Sequence, residues 1–191
     1  YPTTIASNDL ENYRICKRYL NESAETLDLL PFMLHDFGGR GVSSEETAQI
    51  GGMAHLVYFM GSDTISGVRA ANWYYDSPMA AFSVAASEHS VQTAYGKLGQ
   101  IRYLNAMLDR YAKPGTIVSI VLDGYDVYRE AATLCNLEFR EKVIASGARV
   151  VFRPDSGNPL EVIPRLLEMQ ASTYGYTINS KGYKVINHVG I

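Results

Sequence analysis

The sequence predicts an α/β protein built on a parallel sheet. Three observations predict it: short apolar runs that are continuous rather than alternating, stretches of helical periodicity between them, and polar clusters just past the runs. Strands that are apolar on both faces belong in a parallel sheet covered by helices, and the helical stretches supply the crossovers.

Asn8 to Leu20 opens on a capping residue and places Leu10, Tyr13 and Leu20 on one helical face. Phe32-Met33-Leu34 reads as the first strand. Ser43 and Glu46 form a capping box that starts a helix carrying Ile50 and Met53. His55 to Met60 reads as the next strand, and Ser83-Val84 as a short run leading to Glu88-His89. Ile101, Leu104, Leu108 and Tyr111 recur at helical spacing until Lys113-Pro114-Gly115 stops them. Thr116 to Leu122 and Val150-Val151-Phe152 complete the strands. An open doubly wound sheet and a barrel both fit this alternation.

Composition narrows the class. The 191 residues are 47% hydrophobic and 19% charged, a folding composition. A net charge of −3 excludes a nucleic-acid-coating or membrane-surface protein, so any important arginine acts as a local anion clamp. Cys16 and Cys135 match no metal spacing and read as buried reduced thiols, which suits a cytoplasmic protein. No run reaches the ~18 apolar residues of a membrane span. The chain opens at Tyr1-Pro2-Thr3-Thr4 and ends at Val189-Gly190-Ile191 in mid-pattern, so a piece of a longer enzyme is expected.

The polar tips carry the functional signal. Past the runs come His35-Asp36-Phe37-Gly38-Gly39-Arg40, Gly61-Ser62-Asp63, Glu88-His89, Asp123-Gly124-Tyr125-Asp126 and Arg153-Pro154-Asp155-Ser156-Gly157. In parallel α/β folds the carboxyl ends of strands converge on the ligand site. Acids, arginines, an aromatic and a histidine on one rim describe a site for an anionic substrate with a flat ring. Each group also has a plain structural reading. Asp63 precedes Thr64-Ile65-Ser66 and would serve as a helix cap, Asp155 to Pro159 reads as a turn, Phe37 as core and the arginines as surface. His35 and His89 compete as the catalytic histidine. No phosphate-binding glycine loop, dinucleotide fingerprint, Ser-His-Asp motif or metal cluster is present, and no strand end offers a Schiff-base lysine.

The segment Leu34-His35-Asp36-Phe37-Gly38-Gly39-Arg40-Gly41-Val42-Ser43-Ser44 resembles the nicotinamide phosphoribosyltransferases, type II phosphoribosyltransferases. The likeness continues at Gly61-Ser62-Asp63-Thr64, from Ser83-Val84 to Glu88-His89-Ser90, and at Asp123-Gly124-Tyr125-Asp126-Val127-Tyr128. It is strongest at Arg153-Pro154-Asp155-Ser156-Gly157-Asn158-Pro159-Leu160 and recurs at Ser180-Lys181-Gly182-Tyr183-Lys184. The resemblance implies an irregular parallel α/β barrel, here a partial barrel, with residues 1–191 forming the central catalytic region of a longer homodimeric enzyme. The segments that add a stacking tyrosine from the partner subunit and bind the 5′-phosphate are expected outside it.

The implied activity is pentosyl transfer in NAD salvage: nicotinamide and phosphoribosyl pyrophosphate yield nicotinamide mononucleotide and pyrophosphate, with Mg2+ required and ATP stimulating. Carried over by position, Phe37 stacks on the pyridine ring and Asp63 accepts from the carboxamide. Arg40 binds phosphate, Arg153 the base or ribose region, and Ser83, Val84 and Ser119 line the pocket. His89 matches the phosphorylatable histidine, with Asp123 and Asp155 orienting it or helping to place magnesium. Gly39 stands where family members carry a larger residue, often tyrosine, so a roomier or more mobile loop is expected. A nicotinate phosphoribosyltransferase and an inactive fragment or binding module with the same fold are the alternatives.

Overall fold

A computed structural model describes residues 1–191, which divide into two compact units, Tyr1–Ser83 with Asn179–Tyr183, and Val84–Ile178 with Lys184–Ile191.

The first unit begins with helix α1 (Pro2–Ser23), whose proline sits in the first turn where its missing N–H costs nothing. Strand β1 (His35–Asp36) pairs in parallel with β2 (Gly61–Ser62), and between them runs α2 (Glu45–His55). Helix α3 (Ile65–Tyr74) follows β2 and packs on α2 backbone to backbone. A Cβ on Gly67 would lie 2.6 Å from the Gly52 Cα, so only glycine lets these helices approach so closely. The end of α1 is closed by Asn179–Tyr183: the Lys181 ammonium reaches the Asn21 carbonyl at 2.8 Å, placing a cation at the negative end of the helix dipole.

The second unit holds a four-stranded parallel sheet in the order β3 (Ala85–Ala86), β4 (Ile117–Val121), β5 (Arg149–Arg153) and β8 (Val189–Gly190). After β3 come α4 (His89–Ala94) and α5 (Gln100–Tyr111), and after β4 come α6 (Val127–Leu134) and α7 (Leu137–Ser146). After β5 comes α8 (Pro159–Tyr174), then the antiparallel hairpin strands β6 (Tyr176–Ile178) and β7 (Lys184–Ile186). Val118, Ile120 and Leu122 of the β4 segment and Val150 and Phe152 of β5 have no exposed surface, and Leu104, Leu134, Val143 and Leu166 bury against them. Four of five β4 residues are buried, as expected for a strand covered on both faces. Side chains start the helices: Asp126 accepts from Tyr128 N and Arg129 N, Asn136 from Phe139 N and Asn158 from Leu160 N.

The α/β class and parallel pairing hold, and no closed barrel forms; the sheets are open, as in part of a barrel. Several elements differ from expectation. Residues Leu30–Phe32 form a 3-10 turn, and the strand begins at His35 rather than spanning 32–34. His55–Met60 is not a strand: α2 runs to His55, and Phe59 is buried against the rings of Tyr13 and His55. His55 ends there because Nδ1 meets Asp9 Oδ2 at 2.8 Å and Nε2 meets the Gly61 carbonyl at 3.0 Å. The α2 cap is Ser44, one residue later than expected, accepting from Thr47 N at 3.1 Å. The Ser83-Val84 run precedes its strand, Ala85–Ala86. Cys16 and Cys135 are free, but half-buried rather than buried.

Candidate active site

In the first unit the candidate residues gather at the carboxyl ends of β1 and β2. Asp36 spends its carboxylate on local order, accepting from Gly38 N at 2.7 Å and from Ser62 Oγ at 3.4 Å. That turn, with Gly39 N bonded to Thr64 Oγ1 at 3.1 Å, holds Gly38–Gly41 as a 3-10 turn. Phe37 stands at its start, 40% exposed, with the His35 ring 4.7 Å from its own and the Arg40 guanidinium carbon 5.9 Å from its centroid.

Asp63 decides what this half can do. The α3 cap is Thr64, which makes no side-chain cap bond, so Asp63 is not spent on the helix. Its carboxylate accepts instead from Ser83 Oγ and lies 3.2 Å from His35 Nε2. The His35 contact has ion-pair distance, but that nitrogen makes no directional hydrogen bond. The Asp63 carboxylate is partly exposed at the strand end, so it keeps acceptor capacity beyond Ser83.

In the second unit the sheet presents a histidine among acids. His89 opens α4, and its Nε2 lies 2.9 Å from Asp123 Oδ1, at the end of β4. Its Nδ1 lies 3.8 Å from Glu88 Oε1 and 3.9 Å from Asp155 Oδ2. Burial acts to raise the Asp123 pKa, but hydrogen bonds from Ser156 and His89 outweigh it and hold the carboxyl below its usual range. An ionised Asp123 therefore receives the Nε2 proton, and the Nδ1 lone pair is the one available for chemistry. Arg153 ends β5 and donates from Nη2 to the Ser87 carbonyl at 2.7 Å, which ties it to the segment leading into His89.

The model of the nicotinate phosphoribosyltransferase (NAPRTase) family matches residues 32–190. The chain belongs to that family. It is 43% identical over 192 aligned residues, all of this chain, to the nicotinamide phosphoribosyltransferase of Xanthomonas campestris pv. campestris (strain 8004). It is 33% identical over 91% of its length to the protein of that name in Mycoplasma pneumoniae, and 28% identical over 97% to the one in Acinetobacter baylyi. It spans about two fifths of the length of these curated relatives, 41%, 38% and 40% respectively.

Within this NAPRTase-family chain the structure brings the expected residues into two groups, each inside one unit. Phe37, Arg40, Asp63 and Ser83 lie in the first. His89, Asp123 and Asp155 meet in the second, where Arg153 joins them through Ser87. Val84 is exposed just before β3, whereas Ser119 is buried within β4 and its carbonyl accepts from Ser87 N at 2.9 Å. The loop at Gly39 is pinned rather than roomy: a Cβ there would come within 3.1 Å of Thr64 Cγ2. The pairing of His35 with Asp63 and the Ser87 relay carry no sequence signal of their own. They depend on turns that bring residues up to 66 positions apart into contact.

Glu130, 1% exposed on α6, is a further group the sequence leaves unmarked. Burial pushes its carboxyl up to about 7, against hydrogen bonding from Gln92 and with help from the Asp123 charge. The folded state therefore holds this proton more tightly than the unfolded chain. That contribution is complete below pH 4.5 and is lost as pH rises through about 7. Unfolding free energy should fall across this window by at most about 3 kcal/mol on this account. Glu130→Gln should remove that part of the slope in urea melts at pH 5, 6, 7 and 8. Parallel slopes for the two proteins would show that Glu130 does not titrate there.

Proposed function

We propose that the complete protein is a nicotinamide phosphoribosyltransferase acting as a cytoplasmic homodimer in NAD salvage. It would transfer the phosphoribosyl group of phosphoribosyl pyrophosphate to nicotinamide, giving nicotinamide mononucleotide and pyrophosphate. The observation that carries this reading is Asp63: a carboxylate withheld from helix capping and held 3.2 Å from His35, whose ring lies 4.7 Å from that of Phe37. A carboxylate attracts the carboxamide N–H of nicotinamide and repels the carboxylate of nicotinic acid. The names of the relatives support the same substrate.

In the reaction the pyridine nitrogen uses its lone pair to form the C–N bond at the anomeric carbon while the bond to pyrophosphate oxygen breaks. No base is required of the protein, because that nitrogen carries no proton. Phe37 would orient the ring, Asp63 would set its rotation through the carboxamide, and Ser83 would line its edge. Arg40 and Arg153 supply fixed positive charge to the phosphates. Asp155, half exposed, is a hard oxygen donor of the kind magnesium takes, and an ion held there would supply positive charge opposite the leaving pyrophosphate.

ATP enters through His89. With Nε2 bonded to Asp123, the Nδ1 lone pair would attack the γ-phosphorus, forming the N–P bond as ADP leaves. Asp123 then stabilises the positive ring that results.

One observation favours nicotinate instead: His35 Nε2, 3.2 Å from Asp63, makes no hydrogen bond and would suit a carboxylate acceptor. Turnover of the two bases side by side separates the readings. Preference for nicotinamide supports this proposal, and preference for nicotinic acid overturns it.

A further inference from the structure

Three polar side chains are buried together in the second unit, where an apolar cluster would cost less. Glu130 on α6, Gln92 on α4 and Gln100 on α5 are 1%, 0% and 9% exposed. Gln92 Nε2 donates to both Glu130 oxygens, and Gln100 Nε2 donates to Oε2 at 2.9 Å. The remaining Gln92 atom, Oε1, is buried without a partner. It presses on Gly124 so closely that a Cβ there would stand 2.2 Å away.

The connections of this cluster single it out. Gln92 lies three residues after His89, one turn along the same short helix, and Gly124 directly follows Asp123. The Gln92 side chain is thus clamped between the Glu130 carboxylate and the turn that carries Asp123, and its helix carries His89. No group of the proposed mechanism uses Glu130, Gln92 or Gln100. A buried network of this sort specifies one arrangement of the elements it joins, and here the joined elements bear the two partners of the 2.9 Å His89–Asp123 contact.

We propose that Glu130 is a positioning residue for the His89–Asp123 pair, acting through Gln92 to hold α4 against the Asp123–Gly124 turn. The hydrogen-bond chain stands by itself; its consequence for turnover rests on the reading of His89 as phosphoryl acceptor.

The test uses three variants of the complete protein. Glu130→Gln keeps the shape of the side chain and turns one of its acceptor oxygens into a donor. Gly124→Ala crowds Gln92 without touching Glu130. Gln92→Leu with Gln100→Leu and Glu130→Leu replaces all three buried partners by apolar groups, a change that restores packing without restoring the clamp. Label transfer from γ-labelled ATP to His89 should fall roughly tenfold or more in each, as small misplacements of reacting groups do, while ATP-independent synthesis stays within about twofold. In 15N spectra the His89 Nε2–H signal bonded to Asp123 should weaken or move in all three. The triple-leucine variant should melt close to the wild type while remaining slow, which a merely structural network would not do.

Wild-type labelling in both Glu130→Gln and Gly124→Ala overturns the proposal. So does recovery of labelling together with stability in the triple-leucine variant. If the unaltered protein takes no label at all, the phosphoryl-acceptor reading fails, and the 15N spectra alone decide: an unchanged His89 signal in the variants overturns the positioning role, and a lost one supports it.

Discussion

Replacing Asp63 with alanine should lower kcat/KM for nicotinamide roughly ten- to a hundredfold, the range expected for losing a hydrogen bond to a charged acceptor. Binding of phosphoribosyl pyrophosphate should stay within about twofold, because the proposal gives Asp63 the base and leaves the phosphates to the arginines. Use of nicotinic acid should rise in the same variant, since the like charge that repels it is gone. Steady-state rates with each base, together with calorimetric binding of phosphoribosyl pyrophosphate, check all three statements. Equal loss for nicotinamide and phosphoribosyl pyrophosphate would mean that Asp63 supports the fold of the site rather than reading the base.

His89→Ala should bring the stimulation by ATP down to a factor of about one while leaving slow ATP-independent synthesis. The basis is the availability of Nδ1: Asp123 holds the opposite nitrogen at 2.9 Å, and its carboxyl stays ionised because bonds from Ser156 and His89 outweigh its burial. Rates with and without ATP, and acid-labile label on the protein, measure the effect. Full stimulation in the variant would assign the phosphoryl acceptor elsewhere, with His35 the first candidate to examine.

The parts of this fold legible in sequence are those where one physical demand dominates. Thr116–Leu122 and Val150–Phe152 read as strands because a continuous apolar run of this length is what a strand buried in a parallel sheet requires. Apolar runs misled where burial came from a helix end. His55–Met60 is apolar because Phe59 packs under Tyr13, while the neighbouring strand is two residues long, too short to leave a period. The same limit hid β1, displaced from its apolar run by a 3-10 turn.

The site shows a similar division. Phe37, Asp63, His89, Asp123 and Asp155 are legible as a group because they lie just past apolar runs, and the carboxyl ends of parallel strands converge on ligand sites. Motif resemblance then supplied roles that spacing could not. Which acid serves which partner stayed hidden, since Asp63 before Thr64 looks like any helix cap until the structure shows its carboxylate on Ser83 and His35. The Glu130–Gln92–Gln100 cluster was invisible altogether: a glutamate and two glutamines at helical positions normally mark solvated faces.

The most direct test is a crystal structure of the complete protein with nicotinamide mononucleotide bound. The pyridine ring should lie on the face of Phe37, with the carboxamide nitrogen within hydrogen-bonding distance of the Asp63 carboxylate. A ring bound away from Phe37, or a carboxamide turned so that its oxygen faces Asp63, would contradict the assignment on which the substrate preference rests.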